Sequence, residues 1–383
     1  MSHTENLESR LISIRRYLHQ YPELSREEFE TTKAIKLWLE EAGIELRESK
    51  LSTGVFADIN GRKPGPVIAI RADIDALPIE EQSGVSFSSK IKGKMHACGH
   101  DFHTAALVGA AYLLSDAREE LTGTIRLLFQ PAEELGGGAE LVLGDGQLEG
   151  VQAIIGLHNK PDLPVGTIGL KEGPLMAAVD RFYVKIRGKG SHAALPHSGN
   201  DPITATAHII TSLQTIVSRS ISSLESAVVS VTRISGGETW NVIPEDVIVE
   251  GTIRTIDKAI RSEVKEKFYS IVTHTATAFS QDVTIEWYPG PPALSNHKRI
   301  TDLVEKTAKN LGLNVIVPEP SMAGEDFSLY LDQVPGTFAF FGTSGNEDWH
   351  HPAFTIDESA LIKAAYFLTQ SARDLLDLLH FDN

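Results

Sequence analysis

Three apolar runs in this chain each end in side chains that bind metal ions or move protons, and this recurrence restricts the fold more than any other feature. Residues 66–75, PVIAIRADID, begin as a buried strand and finish in Asp73 and Asp75. Residues 124–134, TIRLLFQPAEE, repeat that design and finish in Glu133 and Glu134. Residues 153–158, AIIGLH, finish in His158. In open α/β sheets the ligand crevice lies beyond the C-terminal ends of the strands, so Asp73, Glu133, Glu134 and His158 are expected on one rim. Helix-like periodicity at 5–21 and 26–42, the second closed by Gly43, completes the alternation that predicts α/β architecture.

The chain has 383 residues, more than the roughly 250–300 at which a single core stops growing, so about two domains are expected. The pattern changes between 179 and 288 to strand (181–187), helix (201–219), strand (227–234), strand (246–255), helix (258–279) and strand (282–288). That order predicts a ferredoxin-like split β-α-β domain. Gly-Pro at 173–174 and the Pro/Gly run at 289–292 punctuate its ends like hinges, and beyond them a helix near 298–311 and a strand at 337–341 resume the first pattern. The expected organisation is a catalytic domain of residues 1–178 plus 289–383, with 179–288 inserted. Exposed sheet edges in such an insert pair readily with a second copy, so a homodimer is expected.

A net charge of −16 disfavours nucleic acid and anionic membranes as partners and leaves a small molecule. The N-terminus lacks a basic start followed by an apolar run, and no segment approaches the roughly 18 apolar residues of a membrane span. With 1 cysteine no internal disulfide forms, which fits a reducing cytoplasm.

That cysteine sits in MHACGHDFH, residues 95–103, among three histidines and an aspartate. Cys98 and His100 flank a glycine that lets both side chains turn toward one ion, and a thiol with imidazoles and carboxylates suits zinc or another first-row cation. Taken alone, the cluster also reads as a small buried thiol beside helix-capping residues, or as a cysteine nucleophile. The adjacent Glu133 and Glu134 emerge from a strand end in different directions, so one can bind metal while the other moves protons. A solvated acidic turn is the plainer reading of such a pair.

The segments RADIDALP (71–78), MHACGHDFHT (95–104), QPAEE (130–134), GLHNKP (156–161), GKGSHAALPH (188–197), NVIP (241–244), GTIRT (251–255), AGEDF (323–327) and HHPAF (350–354) together resemble the amidohydrolase branch of the aminoacylase/carboxypeptidase metallopeptidase family. The resemblance runs in the family's order over nearly the whole chain. It implies a mixed-sheet, phosphorylase/hydrolase-like catalytic domain with an inserted ferredoxin-like lid and dimerisation domain. It further implies a metal-dependent hydrolase of N-acyl, foremost N-acetyl, amino acids. Two divalent ions per subunit, zinc, manganese, cobalt or nickel, would be held by Cys98, His100, Glu134, His158 and His350, with Cys98 at or near the bridging position. Glu133 would be the general acid/base. His192 and Asn241 would reach an active site across the dimer and hold the oxyanion, a role in which each donor is worth roughly 3–4 kcal/mol. Arg254 reads either as the partner of the substrate's α-carboxylate or as a structural ion pair.

The carboxypeptidase branch has a ligand histidine where this chain has Arg71, so its geometry does not transfer, and Asp73 is expected to orient a ligand histidine from behind. His350 is preferred to His351 as a ligand because it stands two residues before Pro352. His103 is expected to be structural, and His96 and His197 to hydrogen-bond loops. A thiolate ligand stripped of metal should be a low-pKa cysteine open to oxidation. The rivals are a dipeptidase or carboxypeptidase on the same scaffold, a cysteine hydrolase using Cys98, which leaves Glu133, Glu134, His158 and His350 without a role, and a non-catalytic binding module, which would be expected to have lost one of these residues.

Overall fold

The three acid- and histidine-tipped runs are neighbours in one sheet. In the computed structural model, which describes residues 6–381, Thr122–Gln130, Lys63–Asp73 and Ala153–Lys160 lie side by side and parallel. Gly336–Gly342 extends the parallel block beyond Ala153–Lys160. Antiparallel Val55–Asn60 and Thr167–Gly169 flank the block, and Glu45–Leu46 and Asn314–Ile316 close the two edges. The result is a mixed eight-stranded sheet. Ile68, Ala69, Ile70, Ile125, Leu127 and Ile154 are fully buried, as near-continuous apolar strands covered on both faces must be.

Helix His100–Asp116 packs against the C-terminal helix Ala360–His380, and both cover the Lys63–Asp73 strand. Small residues allow this close approach: a Cβ on Gly109 would come within 2.8 Å of Ala365 Cβ. Nearly every residue of His100–Asp116 is buried, so this helix is apolar all round and its polar first turn is enclosed with it. The expected first helix is Leu7–Gln20, residue 5 lying outside the described residues, and the expected second is Phe29–Glu41.

The chain divides into two compact units, a larger one and a smaller one made of Pro174–Leu294 with Pro320–Glu325. Within the smaller unit the antiparallel order is Ala227–Ser235, Asp246–Thr255, Ala178–Arg187, Asp282–Pro289. Helices Pro202–Thr215 and Lys258–Ala278 share its core: Phe182, Val184, Ile186, Val247 and Val249 meet Ala205, Ile209, Val264, Phe268 and Val272. Both helices start on an aspartate, Asp201 accepting from Ile203 N–H and Thr204 N–H and Asp257 from Ala259 N–H and Ile260 N–H, and each cap contributes about 1 kcal/mol. A separate ribbon pairs Ser191–His192 with Val242–Ile243. Among the described residues no helix is long and apolar enough to cross a membrane.

Candidate active site

Local backbone geometry decides where the polar side chains of the larger unit point. Gly99, between Cys98 and His100, has φ 84°, and a Cβ there would lie 2.3 Å from Asn159 Nδ2, so only glycine permits this turn. Beyond strand Thr122–Gln130, Ala132 is held at φ 58° and ψ 37°, and Glu133 and Glu134 leave the next turn. His350 is left-handed too, at φ 64°, with its N–H on Ala97 O at 2.8 Å. A non-glycine residue in this region costs of order 1–3 kcal/mol and persists only where its surroundings hold it.

These constraints gather the five expected ligands. The ligand atoms of Cys98, His100 and His158 lie within 4.8 Å of one another, as do those of Cys98, Glu134 and His350, and those of His100, Glu133 and Glu134. Cys98 Sγ is 3.5 Å from His158 Nε2, and Glu134 Oε2 is 3.5 Å from His350 Nε2. His100 Nε2 stands 3.8 Å from Glu134 Oε1 and 4.0 Å from Glu133 Oε2. His100 Nε2 and Glu134 Oε1 are buried without a hydrogen-bond partner among the described residues. Buried polar atoms seldom stay unmatched, so two orphans facing each other across a thiol, imidazoles and carboxylates fit a divalent cation.

The expected ligands are aimed by groups behind them. His158 Nδ1–H donates to Asn159 O at 2.8 Å, leaving Nε2 to face Cys98. His100 Nδ1–H donates to Asp75 Oδ1 at 3.2 Å, and Asp75 Oδ2 accepts from Glu134 N–H at 3.0 Å and from Ser25 Oγ–H at 2.7 Å. Asp73 was expected in that role, but it lies 3.7 Å from His100 Nε2 and instead accepts from His103 Nδ1–H at 2.6 Å. His103 Nε2 in turn accepts Asn159 N–H at 2.8 Å, so both its nitrogens are engaged and it is structural. Asn159 also donates through Nδ2 to Cys98 O at 2.5 Å, and its carbonyl accepts Trp349 Nε1–H at 3.1 Å, one residue before His350.

Arg71, at the histidine position of the other branch, is a buried counter-ion rather than a ligand. Its guanidinium donates to Asp73 at 2.7 Å, Asp326 at 2.9 Å and Gln130 at 2.9 Å, and Gln130 Nε2 returns to Asp326 at 2.8 Å. Breaking such a buried pair by removing one partner costs about 3–5 kcal/mol. Sequence reasoning missed Asp75, Gln130, Asn159 and Asp326 as supports. Their only signal was position, polar residues at or just past the ends of apolar strands or inside the quoted motifs.

Burial opposes charge on His100, yet Asp73 and Asp75 outweigh it and push this imidazole up to about 10. Burial, reinforced by His103, pushes His158 well below the ordinary range, so it is neutral. The low-pKa thiol expected without metal is corrected: burial, with the charges of Glu134, Glu133 and Asp73, pushes Cys98 well above its ordinary value. A metal-free site therefore holds a neutral thiol, which is a poor nucleophile. His96 also departs from expectation. It is buried with neither ring nitrogen hydrogen-bonded among the described residues, and burial pushes it down to about 4, whereas His197 is exposed.

In the smaller unit His192 and Asn241 come together on the short ribbon, where Val242 pairs with His192 and Ala193 N–H donates to Asn241 O at 3.0 Å. His192 Nδ1 accepts Ala194 N–H at 3.1 Å, so the neutral ring presents Nε2–H outward. Leu195, Trp240 and Val242 are exposed beside them, Trp240 at 92%. Arg254 is half-buried on strand Asp246–Thr255; its Nε–H donates to Thr252 Oγ1 at 3.0 Å, and no carboxylate among the described residues pairs with it.

The sequence model of peptidase family M20/M25/M40 matches residues 69–374. N-acetyl-L-cysteine deacetylase of Bacillus subtilis is 61% identical over 371 residues, 97% of this chain and 89% of the relative. Thermostable carboxypeptidase 1 of Saccharolobus solfataricus is 38% identical, covering 93% of this chain and 92% of its own length. Among solved structures, the Bacillus subtilis YXEP protein, described as a dinuclear metal-binding peptidase, superposes with a TM-score of 0.89 at 49% identity, over 97% of this chain and 99% of that one.

Proposed function

This chain belongs to peptidase family M20/M25/M40, and from that premise we propose that it is a dinuclear metal-dependent amidohydrolase cleaving N-acetyl amino acids, N-acetyl-L-cysteine among them, to acetate and the free amino acid. The observation that carries this reading is the convergence of Cys98, His100, Glu134, His158 and His350 donor atoms with Glu133 beside them. Those five side chains would hold divalent ions, zinc, manganese, cobalt or nickel, which would supply Lewis acidity for a carbonyl oxygen and for water.

Glu133 takes the proton the attacking water gives up and returns it to the amine nitrogen as the C–N bond breaks. His192 Nε2–H, with the Asn241 amide, donates to the carbonyl oxygen as negative charge gathers there. Arg254, with no carboxylate partner among the described residues, receives the substrate's α-carboxylate through its fork of donors. We assign the smaller unit the lid and dimerisation roles: exposed Leu195, Trp240 and Val242 beside His192 form an apolar surface suited to a second copy, which would complete each site across a homodimer.

Assay of a metal-defined preparation against N-acetyl amino acids, N-benzoyl amino acids and dipeptides tests the reading. Fastest turnover of N-acetyl substrates, lost on chelation and restored by metal, is expected. Preference for dipeptides would favour the carboxypeptidase reading that one relative's name suggests. Activity resistant to chelation but blocked by thiol alkylation would overturn the proposal in favour of a cysteine hydrolase. For the dimer, inactive Glu133→Gln and inactive His192→Ala subunits should recover partial activity when mixed. No recovery after verified subunit exchange would make each site self-contained.

A further inference from the structure

Glu133 sits between two backbone anchors, and the one on its N-terminal side, Glu28, comes from a part of the chain that the family match, beginning at residue 69, does not reach. Glu134 N–H is held by Asp75 at 3.0 Å. On the other side, Ala132 N–H donates to Glu28 Oε1 at 2.8 Å. Glu28 is fully buried and Ala132 is 1% exposed, so no bulk water reaches this bond. Ala132 is also the residue held left-handed, and its carbonyl accepts Gly138 N–H at 3.1 Å.

An alanine in this conformation has its Cβ crowded against the backbone, and the intrinsic preference is to relax to negative φ. Relaxation at Ala132 would rotate the chain immediately before Glu133 and swing its carboxylate away from His100. Glu134 would keep the anchor supplied by Asp75. The same N-terminal segment braces that second anchor, because Ser25 Oγ–H donates to Asp75 Oδ2 and Glu23 O accepts Ala76 N–H at 2.8 Å.

We infer that Glu28 is a positioning residue for the general acid/base: by accepting Ala132 N–H it holds the left-handed turn that aims Glu133. The inference rests on the assignment of Glu133 above. Without this acceptor the buried Ala132 N–H is orphaned, and a conformation that restores it a partner displaces Glu133.

Steady-state kinetics, metal content and thermal melting of four variants test this. A misplacement of about 1 Å at a reacting group costs on the order of 100-fold, so Glu28→Ala should lower kcat by about that factor with KM nearly unchanged and both metals retained. Glu28→Gln keeps a carbonyl oxygen for Ala132 N–H and should recover most of the turnover. Glycine takes positive φ without the Cβ penalty, so Ala132→Gly introduced into Glu28→Ala should restore a large part of the lost kcat. Glu133→Gln, run beside them, must be inactive for the reading on which this rests to hold. Unchanged kcat in Glu28→Ala beside a dead Glu133→Gln overturns the positioning role alone. So does failure of both Glu28→Gln and the glycine to restore kcat, or loss of kcat only in proportion to lost folded protein.

Discussion

The proposed metal cradle of the larger unit and the His192–Asn241 ribbon of the smaller one hold polar side chains in opposite ways. In the cradle Asp73, Asp75, His100, His103 and Asn159 are each at most 1% exposed, and each is tied to another by hydrogen bonds. On the ribbon His192 is exposed, carried by a strand of two residues, with Trp240 almost wholly in solvent nearby. Buried charge is tolerable only where it is paired, so a cradle for cations has to be built complete, its spare atoms facing one another. A donor that meets charge developing on a substrate has no such requirement until a partner surface covers it. Rigid support surrounds the buried proposed ligands His100 and His158, whereas the His350 side chain is 54% exposed and His192 lies open, the latter on the side where we propose a second surface.

Four substitutions test this contrast, in order of decreasing expected effect. Glu133→Gln should lower kcat by about 10²–10⁴-fold while metal content measured by elemental analysis stays at wild type; near-normal turnover would remove Glu133 from the chemistry. His192→Ala should cost about 10²–10³-fold in kcat, again without metal loss, and a fall in metal affinity here would erase the distinction between the two regions. Asp75→Asn should act on metal instead. An amide presents N–H₂ where His100 Nδ1–H needs an acceptor, favouring the tautomer that puts the proton on Nε2, and removal of such a support costs about 10–100-fold in metal affinity. Competition with a chromophoric chelator measures it, and unchanged affinity would show that Asp75 does not set the tautomer. Arg254→Ala is the smallest: loss of a charged hydrogen-bond partner worth about 1.5–3 kcal/mol should raise KM roughly tenfold or more, with kcat less affected. A KM effect that persists on substrates lacking the α-carboxylate would assign Arg254 to the fold.

Much of this molecule was legible before any tertiary contact was known. Strand 246–255 and helix 258–279 announce themselves because period-2 and period-3.6 burial are local properties of a chain, and strand 153–158 because an unbroken apolar run is one too. The antiparallel flank Val55–Asn60, the two-residue strands of the ribbon and the C-terminal helix were not singled out. For the first two the runs are short, and their pairing partners lie tens of residues away.

At the site, the chemistry of each side chain was written in its type: a thiol, imidazoles and carboxylates at strand ends specify an ion and a proton carrier. Which carboxylate serves which imidazole was not. Asp73 and Asp75 are equivalent in the one-dimensional pattern, yet Asp75 meets His100 and Asp73 meets His103 because the first turn of the helix at His100 sets each ring against a particular oxygen. The left-handed turns at Ala132 and His350, the bond from Ala132 to Glu28 across 104 positions, the raised thiol of metal-free Cys98 and the ring of His96, without a partner among the described residues, belong to the same class. By itself the sequence determined the parts, since periodicity and functional groups reside in the residues. Only the tertiary structure decided their partners and charge states, because these depend on distance and burial between segments the chain brings together from far apart.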